Sequence, residues 1–231
     1  MPTKKLKKNS FAPITLAQAR HVVEVVDAGL VADTEGEPVP GEMCVESAVA
    51  YALGYPHNDQ PKCVANCVRD FKITVNDGAP FKDEKDRAKG LRRIAVAQLG
   101  SAGLVRGSRF QARLNTQLIS TLLPRVFRGI DIDANVDFSP FLTSIIINRY
   151  EVISALTRVL KEMNSKSLEE NELAIAIIDR NHYSDILDCI NDTNTGREYT
   201  DDLIKCAIEV LRSFNVPGVK LMDRLIKEGI L

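Results

Sequence analysis

Apolar residues recur along this chain at intervals of three and four, and no stretch sustains the two-residue alternation of a half-buried strand. Leu16, Ala19, Val22, Val23, Val26 and Leu30 share one helical face. They follow Thr15, whose side chain can cap a first turn, and Gly29 can help end the helix. Val45, Ala48, Val49, Ala52 and Leu53 predict a second helix over 43–53, stopped by Gly54. Val64, Val68, Phe71 and Val75 predict a third over 62–75, broken by Asn76-Asp77-Gly78 and kept from resuming by Pro80. Ala88, Leu91, Ala95 and Leu99 mark a fourth over 83–99, and a fifth covers 109–127, with Pro124 bending or ending it. A long helix follows over 141–163, then helices over 168–178, 182–191, 200–213 and 217–228, with DTNTGREY between two of them as a polar turn.

The pattern predicts an all-α fold, a multi-helix array or bundle of roughly eight to ten helices. Residues 1–13, with Lys4, Lys5, Lys7 and Lys8 and few apolar partners, form a basic flexible tail. Residues 14–130 form an N-terminal helical module. Residues 131–231 form a C-terminal helical region, either a separate unit or part of the same domain.

Composition narrows this little. The chain has 231 residues, 45% hydrophobic and 26% charged, with a formal net charge of −1. That is an ordinary globular composition, and its charge gives no global attraction to nucleic acid or an anionic membrane. No Trp is present, which disfavours recognition built on many stacked bases. The five cysteines are odd in number and widely spread, unlike a secreted disulfide scaffold. The basic N-terminus has no apolar run behind it, so it is not read as a secretory signal, and no segment is long enough to span a bilayer. The expected location is cytoplasmic.

Three cysteines and a histidine crowd into GEMCVESAVAYALGYPHNDQPKCVANCVRDFKITVND, residues 41–77. Cys44 stands at a predicted helix start, where free N–H groups and the helix dipole stabilise a thiolate. A Cys44-dependent thiol hydrolase or transferase would need a base, and His182 is the candidate. The alternative is a buried, inert thiol, common in helical cores. Cys63 and Cys67, one helical turn apart, could join Cys44 and His57 as four zinc ligands, although the spacing matches no known finger; packing explains the same residues. Glu42 and Glu46, one turn apart, could act as acid and base or simply favour the helix dipole. Cys189 and Cys206 read as core thiols.

Nine basic residues, Lys82, Lys85, Arg87, Lys89, Arg92, Arg93, Arg106, Arg109 and Arg113, fall within a short span holding three acids. Lys85, Lys89, Arg92, Arg93, Arg106 and Arg109 are the candidates for a phosphate-contacting face on nucleic acid or another polyanion. A solvated face with local pairing, or arginines tying helix C-termini together, is the other reading. GSAGLVRGSR lacks the Lys-Ser/Thr of a P-loop.

Two resemblances follow from these residues. CVESAVAYALGYP resembles the nucleophile helix of transglutaminase-like thiol enzymes, which implies Cys44 as nucleophile. That family's strand-borne His and Asp have no counterpart here. The blocks MCVESAVAYALGYPHNDQPKCV, VRDFKITVND and RAKGLRRIAVAQLGS together resemble a domain of uncharacterised bacterial and phage proteins. The resemblance covers 40–101 and implies a bacterial or phage origin, with no reaction and no site.

The sequence therefore leads to a non-enzymatic helical binding protein with a protein partner, no cofactor and no membrane contact. Nucleic-acid binding and Cys44 thiol chemistry are the alternatives.

Overall fold

In a computed structural model of the chain, the structure describes residues 13–129, 168–179 and 182–231. The basic tail up to residue 12, the helix expected over 141–163 and the division expected near 130 lie outside the described residues.

Thr15 opens α1 (Leu16–Asp27) with a reciprocal capping box. Its hydroxyl accepts the Gln18 N–H at 3.2 Å, and the Gln18 side chain accepts the Thr15 N–H at 3.0 Å. Cys44 caps α2 (Val45–Ala52), and Asp83 caps α4 (Glu84–Ala97) by accepting the Asp86 N–H at 2.8 Å. Between them, α3 spans Asn66–Gly78. It starts four residues later than its apolar pattern suggests and runs through the sequence expected to break it. Asn76 is buried there: its amide donates to the Val31 carbonyl at 2.8 Å, and Asp77 accepts the Asp33 N–H at 3.0 Å. Tertiary partners thus take up side chains that would otherwise compete with the helix backbone.

α5 (Gly107–Gln117) passes through a π turn at Leu118–Leu122 into α6 (Leu123–Gly129). The widened turn ends two residues before Pro124, whose ring needs room and which has no N–H to give. After the undescribed segment come α7 (Leu168–Ile178), α8 (Tyr183–Asn191), α9 (Gly196–Ser213) and α10 (Pro217–Lys227). With α5 and α6 taken as one bent helix, nine helices are described, with no sheet among the described residues, only a lone bridge between Gly36 and Met43. No helix among the described residues is long and apolar enough to cross a membrane.

α4 lies at the centre, against α1, α2, α3, α9 and α10. One buried apolar cluster runs from Ala19 of α1 to Leu225 of α10. Phe71 stands in it with its ring edge-on to Phe110 and Tyr183, at centroid distances of 5.9 and 5.2 Å. Gly218 lets α10 meet α4 backbone to backbone: its N–H donates to the Leu99 carbonyl at 2.8 Å, and a Cβ there would lie 2.3 Å from the Val96 oxygen. Arg197 of α9 reaches Asp86 of α4 at 3.0 Å over the ring of Phe81.

Candidate functional site

The crowded segment resolves into two adjoining features. The first is a buried polar centre. On α3, Val68, Phe71 and Val75 make an inward stripe, and helical spacing puts Lys72 on it. On α2, Val45, Ala48 and Val49 surround Glu46 with apolar neighbours. Both charged side chains are completely buried, with Lys72 Nζ 3.2 Å from Glu46 Oε1. Gln98, also fully buried at the end of α4, donates from Nε2 to Glu46 Oε2 at 3.2 Å. Burial pushes the Glu46 carboxyl up and the Lys72 ammonium down, and each partner's charge opposes the other's shift.

Cys44 borders this centre. It is 5% exposed; its thiol donates to Ser47 Oγ at 3.4 Å, and the Ser47 N–H approaches its sulfur at 3.5 Å. The helix start was expected to lower this thiol. Instead burial pushes it up, outweighing the N–H and hydroxyl contacts at Ser47, and the Glu46 carboxylate adds to the rise. His182 is not its partner. It sits exposed as the cap of α8, its Nδ1 on Ser184 Oγ at 2.9 Å and its ring on Tyr183. The nucleophile–base pair expected between Cys44 and His182 is not assembled.

Nor are the four zinc-ligand candidates gathered. Among the described residues, no three His, Cys, Asp or Glu side chains come together in a way that could hold a metal ion. His57 donates from Nε2 to the Gly36 carbonyl at 2.9 Å. Cys63 is buried and receives the Gly100 backbone, and Cys67 lies half-buried on the first turn of α3. Burial raises both thiols.

The second feature is an open groove of about 590 Å³ between the starts of α3 and α5 and the turn between α4 and α5. Val64, Ala65, Ala102 and Val105 line it together with Gly103 and Gly107, Cys67, and the polar Lys62, Asn66 and Asp70. The N-cap residues of α3 and α5, Ala65 and Arg106, make no side-chain cap bond, although on α3 the Cys67 sulfur receives the Cys67 and Val68 N–H groups. Arg106, between the lining residues Val105 and Gly107, is exposed, as are Arg109 on α5 and Leu104 at 48%. Asp70 is held 3.2 Å from Arg69.

The basic stretch does not form the single face expected of it. Lys85 Nζ donates to the carbonyls of Asp27 and Ala28 at 2.9 and 2.8 Å, closing the end of α1. Arg87 donates to the carbonyls of Asn76 and Leu30, and Arg92 lies 3.6 Å from Asp27. Arg113 donates to the Ser213 carbonyl at 3.0 Å and covers the ring of Phe214. Lys89 and Arg93 are exposed on α4, while Arg106 precedes and Arg109 lies on α5, which packs on α9 and α3.

Sequence reasoning missed Lys72 and Gln98. The signal for Lys72 was present, as a cation on an otherwise apolar stripe. Comparison of the chain with protein-family models, with curated proteins and with solved structures finds no match.

Proposed function

We propose that this protein is a non-enzymatic binding module that takes an acidic segment of a protein partner into the groove between α3 and α5. The carrying observation is that groove, lined by Val64, Ala65, Ala102 and Val105 together with Lys62, Asn66 and Asp70, where two helices begin without a bond from their N-cap side chains. Helix starts favour negative charge, and a carboxylate presented by a partner can accept from several first-turn N–H groups at once. Lys62 brings a full positive charge to the groove, exposed Arg106 stands between its lining residues Val105 and Gly107, and Asp70 is already offset by Arg69. Exposed Leu104 offers an apolar contact next to the charged ones, the mixed chemistry of a peptide-docking surface.

The test is titration of isotope-labelled protein with a short peptide of alternating glutamate and leucine, followed by amide NMR. Shifts are expected at Asn66, Cys67, Gly103 and Gly107. The double variant Lys62→Glu with Arg106→Glu is expected to bind about tenfold more weakly. Unmoved groove amides would reject the reading. So would tighter, steeply salt-dependent binding of single-stranded DNA at Lys89 and Arg93, which would favour the polyanion alternative.

A further inference from the structure

The groove and the buried polar centre are joined by a short chain of hydrogen bonds. Gln98 ends α4, and from it hangs the turn that makes one groove wall. The Ser101 N–H donates to the Gln98 carbonyl at 3.0 Å, and the Leu104 and Val105 N–H groups donate to the Ser101 carbonyl at 3.0 and 3.1 Å. The opposite wall, the start of α3, is tied to the same turn. The Ala65 N–H donates to Ser101 Oγ at 2.9 Å, and the Ala102 N–H donates to the Cys63 carbonyl at 3.0 Å. Gln98 itself is held from behind through its amide on Glu46, which Lys72 of α3 fixes from the other side.

We propose that Gln98, anchored by the buried Glu46–Lys72 pair, is the positioning residue that sets the wall of the groove formed by the α4–α5 turn. The two helices that lead into the walls, α3 through Lys72 and α4 through Gln98, converge on one carboxylate, Glu46 of α2. A shift of Glu46 therefore reaches Ser101 through a single side chain, and Ser101 holds both walls. The effect of the buried pair on a partner would act through groove width, with no contact to the partner. This takes the groove of the proposed function as the working surface, but its test needs no partner.

The reporter is Cys67, half-buried in the groove, measured against Cys189 of α8, half-buried outside it. Native protein is alkylated with iodoacetamide, and the rate at each cysteine is read by peptide mass spectrometry. General loosening speeds both sites, whereas movement of the groove wall speeds Cys67 alone. Gln98→Met keeps the side-chain volume and deletes the anchor. It is expected to raise the Cys67-to-Cys189 rate ratio about fivefold, the change in opening that loss of one net hydrogen bond releases. An unchanged ratio in folded Gln98→Met would overturn the proposal. Should that variant fail to fold, Glu46→Leu with Lys72→Met removes the acceptor and both buried charges, leaving Gln98 unanchored. The same rise is then expected, and an unchanged ratio again overturns the proposal. A rise in the ratio with no peptide binding would reject the acidic-partner reading alone; peptide binding with no rise would reject this coupling alone.

Discussion

Replacing Lys72 by methionine keeps the length of the side chain and deletes its charge. Glu46 then stays at the junction of α2, α3 and α4, fully buried, with Gln98 as its remaining donor. At 3.2 Å and an effective dielectric near 20, the lost attraction is roughly 5 kcal/mol. Some of it is recovered as Glu46 takes up a proton, toward which burial already pushes it. Breaking a buried pair from one side therefore costs about 3–5 kcal/mol, a large part of the ~5–15 kcal/mol that holds a domain folded. Replacing both partners, Glu46→Leu with Lys72→Met, removes the buried charges but leaves the Gln98 amide without its acceptor. That variant is expected about 1–3 kcal/mol below the wild type and above Lys72→Met. The assay is urea unfolding followed by far-ultraviolet circular dichroism, since the chain has no Trp to report by fluorescence. The m-value must stay constant across the four corners of the cycle. A cost below about 1 kcal/mol for Lys72→Met, or a double variant as unstable as the single one, would refute the reasoning.

The same pair sets an expected pH profile. Glu46 alone, its carboxyl raised, would lose stability as pH climbs above 4.5, and Lys72 alone, its ammonium lowered, would lose it as pH falls below 10.5. Sharing one proton, they cancel, so the difference in stability between wild type and the double apolar variant should be flat between those values and fall outside them; a one-proton slope inside the window would contradict this. Native alkylation should modify Cys67 and Cys189 before Cys44, Cys63 and Cys206, the last pushed up to about 12 by burial, and early modification of Cys44 would reopen thiol chemistry. Gly218→Ala should cost about 1–3 kcal/mol in thermal or urea unfolding, because its Cβ would meet the Val96 oxygen at 2.3 Å and backbone must shift. Lys85→Ala should cost about 1 kcal/mol by releasing the end of α1, and an effect on DNA binding without any on stability would argue against its capping role.

The helices were legible because their information is local: a period of three to four, a Thr15 with Gln18 three residues on, and a Pro at the first position of α10. Misjudged ends share one cause. Asn76-Asp77-Gly78 reads as a stop only while its partners are unknown; Val31 and Asp33, more than forty residues back, turn it into a last helical turn. Gly196 likewise opens α9 inside a stretch read as a polar turn, backed against the Ile190 carbonyl. The site follows the same division. A charge at position 72 on the Phe71–Val75 stripe already signals a buried cation in need of an anion, so Lys72 could have been found by asking which acid lies among apolar neighbours, which leads to Glu46. Gln98 carried the same kind of signal, a polar residue inside the apolar run IAVAQL and on the Leu91–Ala95 stripe, but the sequence does not show which buried group its amide meets. The basic run misled for the opposite reason: charge can be counted from sequence, but the carbonyls that absorb Lys85 and Arg87 belong to helix ends that meet α4 only in the folded chain. What a cationic cluster does is decided by whether its partners are backbone or solvent, and here α4 spends Lys85, Arg87 and Arg92 on the protein itself, while Lys89 and Arg93 of α4 and Arg106 and Arg109 at the start of α5 face outward.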